Sequence, residues 1–418
     1  MKRKISIMKN KKTQGLASLV AISPFAAFVV GLLNPRDRAS RNLVWVFVIF
    51  YGAVFYISET SGSDSVRYIA HLKLMYWSDF TFDDLMYSMY RGHTGSQDLY
   101  QPFITFLISR FTDQAWVLFS VFGILLGYVY SRNIWFLIDR VGHRQSAVIV
   151  YLIIAFALNV SIASGLNGVR FWTACHVFVF GVLHFFDGRN RKYLFVALLT
   201  PLIHFSFTLP CALLLLFFAV KRFGTAIYVF FVASFLVAQL DQSVVKSIMQ
   251  YLPLSFEDRA MSYVNKAGLE GGYGAVESVW FLRLNDLLTS SFVLIGSTYL
   301  YWKGVHRSHR AIGEIFVFGM LIYGATNLVS YVPSAGRFFS VAELLIIAAL
   351  VLFLGTERAR KKDMQLAGAM SSLLAIDVAL GVRMSLEYTS IYLLFGNFFV
   401  APFVEADASL YELIKGLL

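Results

Sequence analysis

Charge is what this sequence has least of. Only 15 % of its 418 residues are Asp, Glu, Lys or Arg, while 58 % are hydrophobic. A water-soluble chain carries about 25 % charged residues, so this one cannot cover a surface that faces water. Soluble enzyme folds and disordered proteins are excluded. Cysteine is scarce as well. The two present, Cys175 and Cys211, both lie inside apolar runs, which argues against a disulfide framework and against a cysteine-based metal site. There is no phosphate-binding glycine loop, no dinucleotide glycine fingerprint, no zinc-ligand spacing and no nucleophile elbow. No cleavable signal peptide is evident, because the first apolar segment, 15–33, lacks an Ala-x-Ala site before its polar flank.

What is present is apolar and aromatic. Mean hydropathy is +0.65; 17 % of residues are aromatic, including 40 Phe and 22 Tyr. The expected fold is an all-α, polytopic integral membrane helix bundle. A spanning helix needs about 20 mostly apolar residues. Candidate spans are 15–33, 42–58, 114–138, 146–163, 169–186, 193–220, 224–240, 284–302, 312–332, 336–355 and 364–382, with a weaker stretch at 386–403. That makes about 11–13 membrane segments in one integral domain, 15–403, between a basic segment, 1–14, and a C-terminal tail, 404–418. No repeat or low-complexity tract divides it.

The formal net charge is +11. The basic residues fall in short clusters between spans: Arg140 and Arg144; Arg189, Arg191 and Lys192; Lys221 and Arg222; Lys303, Arg307 and Arg310; Arg358 to Lys362. This is the positive-inside pattern and assigns those loops to the cytoplasm; it does not indicate a nucleic-acid partner. Two long polar loops, 59–98 and 241–283, belong outside. The first segment is ambiguous, since Arg36, Arg38 and Arg41 also favour the inside. Either 15–33 is re-entrant around Pro24 or the N-terminus lies outside.

The rule produces one conflict. Lys192 and Lys221 both belong inside, yet a single apolar run separates them. A hairpin or broken segment at 193–220 resolves it. Thr200-Pro201 is the natural break, because proline removes a backbone donor and clashes with the preceding turn. His204 would then sit near the apex, beside a wet cavity or protein that satisfies the broken backbone. The alternative is an ordinary proline-kinked helix. His176 and His184 read as structural.

Several polar groups converge on the outer side of this topology. Arg170 and Arg337 each stand at the outer start of a helix, where the dipole favours anions. An arginine at such a terminus suits a phosphate group. Alone, either would be a headgroup-seeking side chain. A neutral His204 could take a proton from an attacking sugar hydroxyl; Asp64 could do so instead. Tyr68, Tyr76, Trp77 and Tyr100 in the first outer loop, and Arg259 and Tyr263 in the second, offer sugar and phosphate contacts.

Four short motifs, in order along the chain, carry a resemblance: Gly62-Ser63-Asp64-Ser65-Val66-Arg67-Tyr68, Asn167-Gly168-Val169-Arg170-Phe171, Leu202-Ile203-His204-Phe205-Ser206 and Gly336-Arg337-Phe338. The set resembles the Wzy/EpsG-type O-antigen and exopolysaccharide polymerases. Ser65 and Phe171 depart from that family's pattern, and Gln101-Pro102 stands where an acidic residue before proline is expected. The resemblance implies a metal-independent bacterial inner-membrane glycosyltransferase without a cofactor. Its donor and acceptor are undecaprenyl-pyrophosphate-linked glycans. His204, Asp64, Arg170 and Arg337 are the expected catalytic residues. Arg67, Tyr68, Asn167, Gln101, Arg259 and Tyr263 are the expected substrate contacts. Membrane lipid, a chain-length regulator and a flippase are the companions such an enzyme leaves open. Two rival functions are a membrane O-acyltransferase that modifies a surface glycan and a transporter or flippase of lipid-linked sugars.

Overall fold

The computed structural model describes residues 15–37, 39–58, 62–90, 98–142, 146–237, 280–330 and 334–417. Among these residues the chain is a helical membrane bundle with no strand; its sole β feature is an isolated bridge between Phe55 and Thr389. Seven helical stretches are long and apolar enough to cross a membrane, and two shorter apolar helices join them.

The short pair comes first: α1 (Pro24–Leu33) and α2 (Ser40–Ala53). Ser23 caps α1 by accepting from the Ala26 amide, with Pro24 at the first helical position, where a missing N–H costs nothing. This cap breaks the 15–33 segment. The first outer loop is not irregular: it holds α3 (Asp64–Trp77) and α4 (Phe82–Tyr90), and α5 (Tyr100–Ser109) follows. The long helix α6 (Ala115–Val141) then crosses α2 at close range. A methyl group on Gly52 would stand 2.3 Å from the Phe119 carbonyl oxygen, and one on Gly123 2.9 Å from that of Val48. Small residues let membrane helices approach this closely. Gly52→Ala is therefore expected to cost about 1–3 kcal/mol through overpacking against backbone that cannot yield, read as a lowered melting temperature in detergent. Gly296→Ala, which meets nothing within 4 Å, should leave it unchanged.

Beyond α6 come α7 (Ala147–Asn159), the single-turn-and-a-half α8 (Ile162–Asn167) and α9 (Val169–Gly188). The expected span 146–163 falls within a stretch, Ala147–Asn167, long and apolar enough to cross, interrupted where Val160 turns extended and Ser161 caps α8. The 20 residues of α9 reach about 30 Å, the thickness of a bilayer core.

The region 193–220 is a hairpin. Its limbs are α10 (Arg191–Leu198) and α11 (Thr208–Val220), joined by 3-10 turns at Thr200–Leu202 and Phe205–Phe207. At its base, Arg189 and Lys221 both pair with Glu314, so the two ends share one end of the bundle. Next, α12 (Gly224–Val237) reverses direction again. The helical run Phe205–Leu236 is long enough to read as one span, but its contacts show two. Phe207 packs on Phe178 and Phe217 on Phe186, so α11 descends with α9. Phe230 lies against Gly324, and Ser234 accepts from Asn327, so α12 climbs back. Cysteines introduced at Asn190 and Phe223 are expected to react with an impermeant maleimide from one and the same side. Labelling from opposite sides would overturn the hairpin.

The longer remaining helices are α13 (Trp280–Trp302), α14 (Arg310–Val329), α15 (Phe338–Leu354), α16 (Lys361–Ser371) and α17 (Ala375–Glu387). Helix α15 is apolar almost throughout, and every residue from Val341 to Leu354 is buried. A helix hydrophobic all round belongs at the centre of a bundle, and the others pack around it. The stretch 386–403 does not span. It is broken into α18 (Tyr392–Phe395) and a 3-10 turn, Ala401–Phe403. Asn397 accepts the Phe399 and Val400 amides, and that side-chain turn competes with a helix. The tail carries a short helix, Leu410–Leu417, tied on by a bond from the Leu410 amide to the Thr389 carbonyl.

The basic clusters gather at one end of the bundle. Arg140 pairs with Asp187, Lys303 with Asp363, and Arg189 and Lys221 with Glu314; Gly355 packs on Val141. Arg144 and loop residues 241–279 lie outside the described residues.

Candidate functional site

At the opposite end, three elements meet over one carboxylate. Arg170 stands in the first turn of α9, whose start is set by Gly168 after α8. Its Nη1 donates to Asp98 Oδ2 at 3.0 Å. The other oxygen, Oδ1, accepts the Phe205 amide at 2.7 Å. The Leu99 amide donates to the Leu202 carbonyl at 3.0 Å. Asp98 therefore fastens the hairpin apex to the head of α9, and His204 comes to lie beside Arg170. Its carboxylate is only 8 % exposed, and such a pair is costly to break from one side.

Arg337 arrives from the 3-10 turn Ala335–Arg337 that opens α15. Its guanidinium lies 5.8 Å from the Phe171 ring centre, and that ring meets the His204 imidazole edge-on at 5.4 Å. Asp98, Arg170, Arg337 and Asp64 all act electrostatically on His204. Two arginines, two carboxylates and an imidazole thus share one region.

The apex also orients the imidazole. Ser206 Oγ lies 2.8 Å from His204 Nδ1, and the Ser206 amide donates to the same nitrogen at 3.3 Å. A backbone N–H can only donate, so Nδ1 accepts and the neutral ring carries its proton on Nε2. The free face of His204 is then a donor. This differs from the expectation of a proton acceptor.

Tyr68, on α3, has its ring centre 6.0 Å from the Arg170 guanidinium. Burial pushes its phenol up to about 12, against the pull of the Arg170 charge. It stays protonated at physiological pH and acts only as a neutral hydroxyl. Asp64 begins α3 and pairs with the exposed Arg67.

Two expected substrate contacts have other uses. Asn167 accepts from Ser65 Oγ at 2.9 Å and donates to the Tyr388 hydroxyl at 3.1 Å, so it ties α3, α8 and the end of α17 together. Gln101 is buried and donates to Thr105 on its own helix at 2.9 Å. Arg259 and Tyr263 fall outside the described residues. Asp98, the last residue of the first outer loop, is the group that sequence reasoning missed. Its signal was position: three residues before Gln101-Pro102, near where an acid was sought.

A second polar feature lies within the bundle. Asn159 donates to the buried Glu343 at 2.7 Å, and Asn285 to Asp377 at 3.5 Å. Among the described residues, no group of three or more His, Cys, Asp or Glu side chains could hold a metal ion. Cys175 and Cys211 are buried free thiols. No family model, curated protein or solved structure matches this chain.

Proposed function

We propose that this membrane protein is a glycosyltransferase that polymerises undecaprenyl-pyrophosphate-linked oligosaccharide repeats at the face opposite its basic loops, the outer face of a bacterial inner membrane. The observation that supports this best is the Asp98 bridge, which sets His204 beside Arg170 with Arg337 in range of the same imidazole.

In this reading a hydroxyl of the acceptor glycan attacks the donor's anomeric carbon. The bond from that carbon to the pyrophosphate oxygen breaks, and undecaprenyl pyrophosphate leaves. Charge builds on the leaving group, so electrostatic stabilisation is the largest catalytic contribution. Arg170 and Arg337 supply it, with the His204 Nε2–H as a third donor. The hydroxyl proton passes to a carboxylate, for which Asp64 is the better choice, since its partner Arg67 is exposed whereas Asp98 is enclosed and held by both Arg170 and the Phe205 amide.

The test is gel analysis of surface polysaccharide from a strain lacking the gene. Loss of the long ladder with single-unit product retained supports the polymerase. Loss of all product would instead fit a flippase, and an intact ladder stripped of acyl groups an acyltransferase.

A further inference from the structure

We propose that a file of ordered water descends from the candidate site along α9, past Arg170 and Thr173, as far as His176. The inference stands on packing alone and holds whatever substrate the site takes.

Three successive turns of α9 present buried polar atoms without a hydrogen-bond partner: Arg170 Nε, Thr173 Oγ1 and His176 Nε2. Residues three apart on a helix are surface neighbours. Neighbouring helices face them with more of the same. Tyr68 Oη faces the Arg170 guanidinium and Tyr100 Oη faces the Thr173 hydroxyl, each pair in reach of one another yet short of full hydrogen-bond geometry. Asn133 donates to the His176 carbonyl at 2.9 Å, which leaves its own Oδ1 unpartnered. The side chains are deeply enclosed: Thr173 is 0 %, His176 1 % and Tyr68 3 % exposed.

One orphan could be local misfit. Six on one path are a pattern, because hydrocarbon offers no partners to polar groups inside a bilayer. Buried waters typically make about three hydrogen bonds each to polar groups that otherwise lack them. The groups here suit water in kind: three hydroxyls that donate or accept, a guanidinium N–H that donates, an amide oxygen that accepts and an imidazole nitrogen. Below His176 the path closes. Phe136 and Phe180 pack against the ring of His184, at 4.9 and 4.2 Å between centres. The file is a blind well that opens only toward the site, and His176 is its floor.

Microsecond X-ray footprinting of the purified protein tests this, because hydroxyl radicals form where water sits and mark adjacent side chains before they diffuse. Tyr68 and His176 are expected to be modified several-fold faster than Tyr51 and Tyr323, which are equally enclosed but have bonded hydroxyls. In Thr173→Val, which keeps the side chain's shape and removes its hydroxyl, His176 should fall to the rate of those controls while Tyr68 keeps its own. His176 reacting as slowly as the controls in the native protein would overturn the proposal. So would an unchanged His176 rate in Thr173→Val.

Discussion

Replacing His204 by Leu is expected to abolish long polymer, whereas Gln in the same place should keep a measurable part of it. The reason lies in the ring's orientation. Nδ1 is engaged by Ser206, so the imidazole offers Nε2–H to the site. The Gln amide N–H occupies nearly that position and still donates; Leu offers nothing. Losing a donor aimed at developing charge costs about 10²–10³ in rate. A general base would behave differently, because Gln cannot take up a proton, and both variants would then be dead. The comparison separates the two roles in one experiment, with membrane protein level measured beside polymer length. Both variants fully active would remove His204 from the chemistry.

The second large effect is expected at Arg170. Arg170→Lys retains the charge and can still reach Asp98, but it loses the planar fork that holds two phosphate oxygens together. A fall of about 10²–10³ in polymer formation is expected, at normal protein level, since the loss is that of preorganised donors. Asp98→Asn should also fail, for another reason: the arginine then has no charge partner and the apex a weaker acceptor. Because Asp98 is enclosed and also holds the Phe205 amide, Asp98→Asn should lower the melting temperature as well, and Arg170→Lys much less. Wild-type polymer from Arg170→Lys would end the phosphate assignment.

Much of the fold could be read in the sequence, and the reasons are particular. Arg189–Lys192 and Lys221 bracket a run that cannot cross once if both ends are cytoplasmic, and the hairpin follows from that parity. What holds its base is a carboxylate no charge count could point to, Glu314, far along the chain. Breaks within apolar stretches were less legible. At Asn159 and Gly396 the chain turns because a side chain, Ser161 or Asn397, offers the backbone an alternative bond, and hydropathy averages over such points. Helices α3 and α4 were hidden inside a loop that is polar in composition, although Ser63-Asp64 marks a helix start. Of the site, the two arginines and His204 stand out because each sits at a break in an apolar run. Asp98 does not, because its meaning comes from partners 72 and 107 positions away. Asn167 and Gln101 read as substrate contacts because a string of polar residues does not say whose hydrogen bonds are already used.

The joint at Glu314 also bears on the order in which the protein is made. Arg189 lies 125 positions before the carboxylate that holds it, and Lys221 lies 93 before. At synthesis rates of about 5–20 residues per second, the finished hairpin emerges roughly 5–19 s ahead of its own clasp. During that interval, two short apolar limbs with basic residues at both ends must hold their orientation by charge bias alone. Only molecules with both ends of the hairpin on the Glu314 side can close this clasp. Glu314→Gln should therefore show itself first as a mixed population. With cysteines introduced at Asn190 and Phe223 in that background, a fraction of molecules would be labelled from different sides at the two positions. Those that inserted correctly would remain able to make polymer.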